Sequence, residues 1–298
     1  MRTHVLDSPF SYYTIFLLAR LLPVVLSRRL GRLVALVVYV FSKKDRRGVA
    51  YNLSLALQTS TDHPMIKDVS RRLFMNYGQY MADFFILPQL PRAKVQRCFA
   101  GLSGESIIKR ALEKGKGAIL LSAHLGNWEF GGLMMRLSNY PLAVVALPHN
   151  AAATNVLVNR FRSQRGIKVI EMSTSPFAAV TILQHLRENG VVAMIGDRDF
   201  FGNGSAVDFF GQTVCFPVGP IALAMASDAP LIPAFVIRQP DGRYFGALEP
   251  PIGIHRHESR KRAIQKSQQQ IARVFETYIR RYPDQWYSPD PITGKVQP

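Results

Sequence analysis

The sequence predicts an α/β fold with a mostly parallel or mixed central sheet flanked by helices. A basic, apolar helical segment with affinity for membranes precedes it. Three observations carry this reading. From about residue 104 onward, short apolar runs of strand length alternate with longer amphipathic stretches, as expected of strand–helix units that bury a parallel sheet. The first fifty residues differ in kind: nine Lys or Arg against two acids, a net of +7, are interleaved with apolar runs. Finally, several expected strands end on turns carrying His, Asp and Gly, and open α/β sheets place their ligands at that edge.

With 298 residues and 48% hydrophobic content, the chain can bury a sizeable core. Cys98 and Cys215 lie far apart, so neither a disulfide framework nor a ligand cluster is indicated, and a reducing compartment suits them. A net charge of +17 calls for an acidic partner: nucleic acid, an anionic membrane or an acidic protein. The expected organisation is a membrane-associating segment over residues 1–45 and a catalytic domain over 46–298.

In the N-terminal segment the apolar runs are residues 9–19, 21–26 and 33–41. None reaches the roughly 18 uncharged residues of a spanning helix. A span over 9–27 requires Arg20 in lipid or snorkelling to the interface. A monotopic hairpin lying in the interface, flanked by basic residues, is the alternative. No small-residue cleavage site follows the apolar run, which disfavours a signal peptide.

Residues 46–100 read as helical. Asp62-His63-Pro64 is a helix start, with Pro near the first position. Tyr77, Tyr80, Met81, Phe84 and Phe85 recur at helical spacing, as core or as the lining of an apolar site, core being preferred. Pro88 and Pro91 end that stretch. Helix 105–114 stops at Gly115, and strand 118–122 leads to a helix starting near Asn127. Strand 142–147, helix 155–165 and the short strand 169–170 follow. Next come a helix capped at Ser175-Pro176 and stopped at Asn189-Gly190, then strand 191–195. Strands 231–237 and 244–248 flank the turn Gln239-Pro240-Asp241-Gly242, and a long basic helix covers 258–281.

The chain is organised around residues 118–132, AILLSAHLGNWEFGG. His124 lies just past a strand, and Glu129 falls in the first turn of the next helix, where a carboxylate suits the helix dipole. A separation of five is poor for two side chains within one helix. It works if His124 precedes the helix and Glu129 points back at it. A His held by a carboxylate keeps one tautomer and acts as a general base. The plain alternative is a strand-to-helix joint with no chemistry.

Two further clusters fall near strand ends. Arg160, Arg162 and Arg165 are either solvated surface residues or clamps for phosphate or carboxylate. Asp197 and Asp199, in Gly196-Asp197-Arg198-Asp199, form either a surface turn with a local Asp–Arg pair or a polar site able to meet a cation or a head group.

The string Ala123-His124-Leu125-Gly126-Asn127-Trp128-Glu129 resembles the first motif of the lysophospholipid acyltransferase superfamily. It is most similar to the branch of late lipid A biosynthesis acyltransferases and mannoside acyltransferases. Arg46–Leu53, Phe216-Pro217-Val218-Gly219-Pro220, Ala229–Pro233 and Tyr282–Tyr287 resemble further stretches of that family, so the similarity runs from Arg46 to Tyr287. The resemblance implies an acyltransferase-like fold and transfer of a fatty acyl chain to a hydroxyl of a membrane lipid or glycolipid. The donor would be acyl-carrier protein or acyl-CoA, a co-substrate, with no other cofactor and no metal. In the implied mechanism His124 is the base and Glu129 orients it. The family's conserved arginine downstream would be Arg160 or Arg162, Arg160 being preferred. The turn with Asp197 and Asp199 would face the acceptor's phosphate or sugar, Asp199 being the candidate. The implied location is the cytoplasmic face of a bacterial inner membrane. The motif does not single out lipid A as acceptor.

No Gly-x-Ser-x-Gly elbow is present, so an acyl-serine route is not indicated. No His-Glu-x-x-His string occurs either. Two other classes remain as alternatives. One is a basic nucleic-acid-binding protein, for which the chain carries no reader motif. The other is a catalytically inactive membrane scaffold, against which the joint presence of His124 and Glu129 argues.

Overall fold

A computed structural model describes residues 22–147, 152–163, 165–172, 177–255 and 257–292. Residues 1–21, the first part of the expected membrane-associating segment, lie outside them. Three helices lead: α1 (Val24–Phe41), α2 (Lys43–Ala56) and α3 (Pro64–Ile86). α3 starts where Pro64 predicts it, and the Nδ1 of His63 accepts from the Met65 N–H at 3.2 Å. α1 crosses α3 at Gly31 and Gly78, where a Cβ on Gly31 would lie 2.5 Å from the Gly78 carbonyl oxygen. Only the absence of side chains lets the two backbones meet.

α1 is amphipathic. Leu33, Val37, Val40 and Phe41 are exposed along one stripe, while Ala35 is buried. Arg28 turns inward, and its Nε donates to Asp83 of α3 at 2.7 Å. Asp83 also accepts from the Tyr244 hydroxyl at 2.5 Å, which ties the helical layer to the sheet. Among the described residues no helix is long and apolar enough to cross a membrane.

The short α4 (Arg92–Arg97) precedes β1 (Phe99–Ser103). The elements then run α5 (Glu105–Glu113), β2 (Ala118–Ser122), α6 (Trp128–Leu137), β3 (Leu142–Ala146), α7 (Ala152–Ser163), β4 (Lys168–Glu171), α8 (Phe177–Arg187) and β5 (Val191–Ile195). After them come β6 (Ser205–Phe209), β7 (Gln212–Phe216), α9 (Gly219–Ser227), β8 (Leu231–Arg238), β9 (Tyr244–Leu248) and α10 (Arg260–Arg281). Seven strands form one sheet in the order β1-β9-β8-β2-β5-β3-β4. Strands β8, β2, β5, β3 and β4 are parallel, and β9 pairs antiparallel to β8. The predicted α/β class with a mostly parallel sheet is what forms.

The apolar runs of β2 and β5 divide by alternation. Ile119 and Leu121 join the larger cluster with Phe235, Phe275 and Trp286, while Ala118 and Leu120 face the other side with Ile108 and Ile232. Strand and helix periodicity made these elements legible. Three strands were not expected. β1 sits where the helical reading continued to residue 100: its residues Phe99–Ser103 are half-buried to exposed and contain Gly101, so they show no strand alternation. β6 and β7 form a separate hairpin whose two-residue turn is Phe210-Gly211, with φ +54° and +73°. Left-handed turns of this kind normally announce themselves with Asn-Gly, and a Phe in that position hid it. The aromatic stripe of α3 is packing. Phe84 and Phe85 are buried against Val158. Tyr77 stacks on Tyr287 at 3.7 Å, and Tyr80 lies 4.7 Å from the Trp128 ring.

Candidate active site

β2 and β5 are adjacent and in register, Ser122 opposite Ile195. Two residues farther along each chain stand His124 and Asp197. The register therefore carries them to the same place beyond the strand ends. The His124 Nδ1 lies 2.6 Å from Asp197 Oδ1, and the His124 backbone N–H donates to Asp197 Oδ2 at 3.1 Å. The indole N–H of Trp286 donates to the same Oδ2 at 3.2 Å. Asp197 is almost wholly buried, whereas the His124 side chain keeps 21% of its surface. Burial alone pushes the Asp197 carboxyl up. The His124 ring, the Arg198 charge and the backbone donor outweigh burial and hold it well below the ordinary carboxylate range.

The loop that presents His124 is clamped on both sides. Gly126, at φ +70°, donates its N–H to the Gln285 carbonyl at 2.9 Å, and Asn127 N–H donates to the Val236 carbonyl at 2.8 Å. A Cβ on Gly126 would lie 2.0 Å from that Val236 oxygen. The Tyr287 N–H in turn donates to the His124 carbonyl at 3.1 Å. Asn127 caps α6, its Oδ1 accepting from the Phe130 N–H at 2.9 Å.

The structure does not pair Glu129 with His124, contrary to the sequence expectation. The Glu129 carboxylate forms a two-pronged ion pair with Arg162 of α7, one prong being Nε to Oε2 at 3.3 Å. Both side chains are 14% exposed. The physical reason is register. Glu129 lies in the first turn of α6 and meets α7, whereas the ring nitrogen Nδ1 faces the end of the neighbouring strand β5.

The other candidates divide. Arg162 lines the cavity described below and belongs with the site, whereas Arg160, the preferred arginine, points from an exposed position on α7 and is not among the lining residues. Asp197, expected to bind substrate, is instead the buried partner of His124. Asp199 is turned into its own loop, accepting from the Phe201 N–H at 3.1 Å and the Gly204 N–H at 2.5 Å. Trp286, which braces Asp197, and Arg198, whose guanidinium donates to the Tyr287 carbonyl at 2.7 Å, went unassigned. Equal offsets of His124 and Asp197 from two strand ends were the one signal that pointed to their pairing, and it is informative only once β2 and β5 are known to be neighbours.

His124 stands at a cavity of about 890 Å³. One wall is a face of the sheet, with Leu120, Leu142, Val144 and Ala234. The opposite wall is α6, with Gly131, Gly132 and Met135. Trp128, Glu129, Arg162, Arg198, Phe200 and Phe201 also line it. The two glycines keep that helix face low. The site thus joins an apolar chamber to polar groups: one buried carboxylate–imidazole pair and two guanidiniums. Such an arrangement suits proton removal from a hydroxyl beside a bound apolar chain.

Comparison with known proteins gives concordant findings. The family described as bacterial lipid A biosynthesis acyltransferase matches residues 5–288. A phosphatidylinositol mannoside acyltransferase of Mycobacterium tuberculosis is 31% identical over 160 residues, 53% of this chain and 51% of that protein. The protein of the same name from Mycolicibacterium smegmatis is 25% identical over 228 residues, 75% of this chain and 72% of its own. The chain therefore spans about half the length of the first relative and nearly three quarters of the second.

Proposed function

Since the chain belongs to the bacterial lipid A biosynthesis acyltransferase family, we propose that it transfers a fatty acyl chain from a thioester donor to a hydroxyl of a membrane glycolipid. The observation that carries this reading is the His124–Asp197 pair at the polar end of the apolar cavity. Nδ1–H of His124 donates to Asp197, which leaves Nε2 with its lone pair available as a base. Nε2 takes the proton of the acceptor hydroxyl, and the oxygen attacks the thioester carbonyl. The tetrahedral oxyanion collapses with loss of the thiolate, which takes the proton back from the imidazolium. One ester and one thiol result. Asp197 stays ionised throughout and stabilises the imidazolium. Arg162, fixed by Glu129, and Arg198, fixed by the Tyr287 carbonyl, supply positive charge at the polar end for a phosphate or for the oxyanion. In this reading Glu129 is a positioning residue that acts through Arg162.

The apolar chamber takes the acyl chain. The mycobacterial relatives, phosphatidylinositol mannoside acyltransferases, support an acceptor of that class, a sugar-bearing phospholipid. The donor is a thioester of acyl-carrier protein or of CoA; both are acidic, and a chain of net charge +17 attracts either. The apolar stripe of α1, with basic Arg29, Arg32, Lys43 and Lys44 beside it, rests on the cytoplasmic face of the inner membrane. The test is direct. Purified protein is incubated with acyl-carrier-protein and CoA thioesters and a bacterial lipid extract, and lipids are read by mass. One acyl chain added to a glycolipid, lost in His124→Ala, supports the reading. Donor hydrolysis with no acylated lipid overturns it.

A further inference from the structure

One buried acid has no part in the proton transfer. Asp83 of α3 is wholly buried, its side chain 0% exposed. Each of its oxygens holds one donor. Oδ1 accepts from Arg28 Nε of α1 at 2.7 Å, and Oδ2 accepts from the Tyr244 hydroxyl of β9 at 2.5 Å. A buried ion pair often adds no stability over apolar packing of the same volume. Its effect here is on geometry, because three elements far apart in sequence meet at one carboxylate. Tyr244 stands between that acid and the loop that presents His124. Its ring lies 4.8 Å from that of Phe130, in the first turn of α6. Its hydroxyl neighbours the Asn127 amide, which bears on its ionisation. Asn127 Nδ2 is buried with neither N–H in a formed hydrogen bond, while Oδ1 already accepts from the Phe130 N–H. Asn127 and Tyr244 line one small cavity behind the loop, with Gly126 and Trp128. Asp83 and Asn127 line another, with Glu129 and Arg162. At about 20 and 30 Å³ these are too small for substrate, so the groups act from behind the loop.

We propose that Asp83 is a positioning residue for proton transfer at His124: held by Arg28, it orients the Tyr244 hydroxyl toward Asn127 and so fixes the catalytic loop from behind. It rests on the reading of His124 as the base. The Tyr244 O–H is committed to Asp83, which leaves the lone pairs of the phenolic oxygen to accept from the Asn127 amide. Burial and the Asp83 charge push the Tyr244 hydroxyl well above its ordinary range, so it remains a donor at working pH. The loop backbone is already held at His124, Gly126 and Asn127 by Asp197, Gln285 and Val236. The amide contact adds a hold from the helical layer. A displacement of ~1 Å at Asn127 is passed to His124, three residues earlier, and a misplacement of that size costs ~10²-fold in rate. The relay gives α1 a second use. Through Arg28 it reaches the loop, so its close crossing with α3 at Gly31 and Gly78 is part of how the site is built.

Hydrogen exchange of the full chain, read by mass over its peptides, tests the positioning without turnover, so its outcome is separate from that of the acyl-transfer assay. In the parent the N–H groups of His124, Gly126 and Asn127 are all hydrogen-bonded, which protects that stretch. Tyr244→Phe keeps the ring and loses one hydroxyl. It is expected to raise exchange over residues 123–130 by about fivefold to tenfold, the worth of one hydrogen bond, and to lower kcat by a similar factor with KM within about twofold. Asn127→Ser keeps a capping oxygen and loses the amide N–H groups. It should act alike, and the double variant should be no worse than the poorer single. Asp83→Asn should also raise exchange over 123–130. It leaves Arg28 without its counter-charge and can loosen α1 as a whole, so Tyr244→Phe carries the decision. Exchange over 123–130 equal to the parent's in Tyr244→Phe, with a rise only over 24–41 and 64–86, overturns the proposal and leaves Asp83 as a tie between helices. Effects of Tyr244→Phe and Asn127→Ser that multiply in the double variant overturn it as well.

Discussion

His124 and Asp197 are each the second residue beyond the end of a parallel strand, and they meet with Nδ1 and Oδ1 2.6 Å apart. Neither residue has to reach. The register Ser122 opposite Ile195 sets both backbones, and the His124 N–H fixes the second carboxylate oxygen.

That pairing separates the roles of the two acids. His124→Ala is expected to lower kcat by ~10²–10⁴, the usual worth of a general base. Asp197→Asn should approach that loss, since the amide leaves the imidazole in the wrong tautomer. Glu129→Gln should act through Arg162 and raise KM more than it lowers kcat. Steady-state kinetics of the three variants decide. An Asp197→Asn enzyme with wild-type kcat, beside an inactive Glu129→Gln, would restore Glu129 as the residue that orients His124.

Acid stability follows from the depressed Asp197 carboxyl. A group whose pKa falls on folding contributes stability that is complete above its unfolded value, about 3.9, and is lost as the pH drops through that value toward the folded one. The parent should therefore lose melting temperature below about pH 4. Asp197→Asn should start lower at pH 7 and fall less steeply on acidification. Melting curves from pH 7 to pH 3 check this, and equal slopes in the two proteins would count against it.

The arginines of α7 should part company. Arg162 lines the cavity and holds Glu129, so Arg162→Lys, which loses the two-pronged contact, is expected to cost about tenfold or more in kcat/KM. Arg160 is outside the cavity, so Arg160→Lys should leave kcat within about twofold in detergent micelles. A large kcat loss in Arg160→Lys with an unaffected Arg162→Lys would reverse the assignment.

Gly126 tolerates no side chain. Its φ is +70° and a Cβ would fall 2.0 Å from the Val236 oxygen. Gly126→Ala should destabilise the fold by more than about 2 kcal/mol and displace His124. Chemical denaturation measures the first and kcat the second. A variant as stable and as active as the parent would show that the loop can relax.

Legible in the sequence alone were the fold class, most strands of the main sheet and the starts of α3 and α6, with His124 as the candidate centre of the site. These are local matters. Apolar period, caps and turn residues act within a few positions of one another, and the string from Ala123 to Glu129 carries its family resemblance in one stretch. The tertiary structure decided everything that depended on which strands are neighbours. Periodicity says that residues 191–195 form a strand but not that this strand lies beside β2, and only that adjacency brings Asp197, seventy-three residues on, to His124. The same holds for Trp286, brought from the far end of the chain, and for Arg162 in place of Arg160. Two residues apart on a helix, those arginines differ by about 200° in direction, so which one faces the cavity follows from how α7 packs on α3 through Val158.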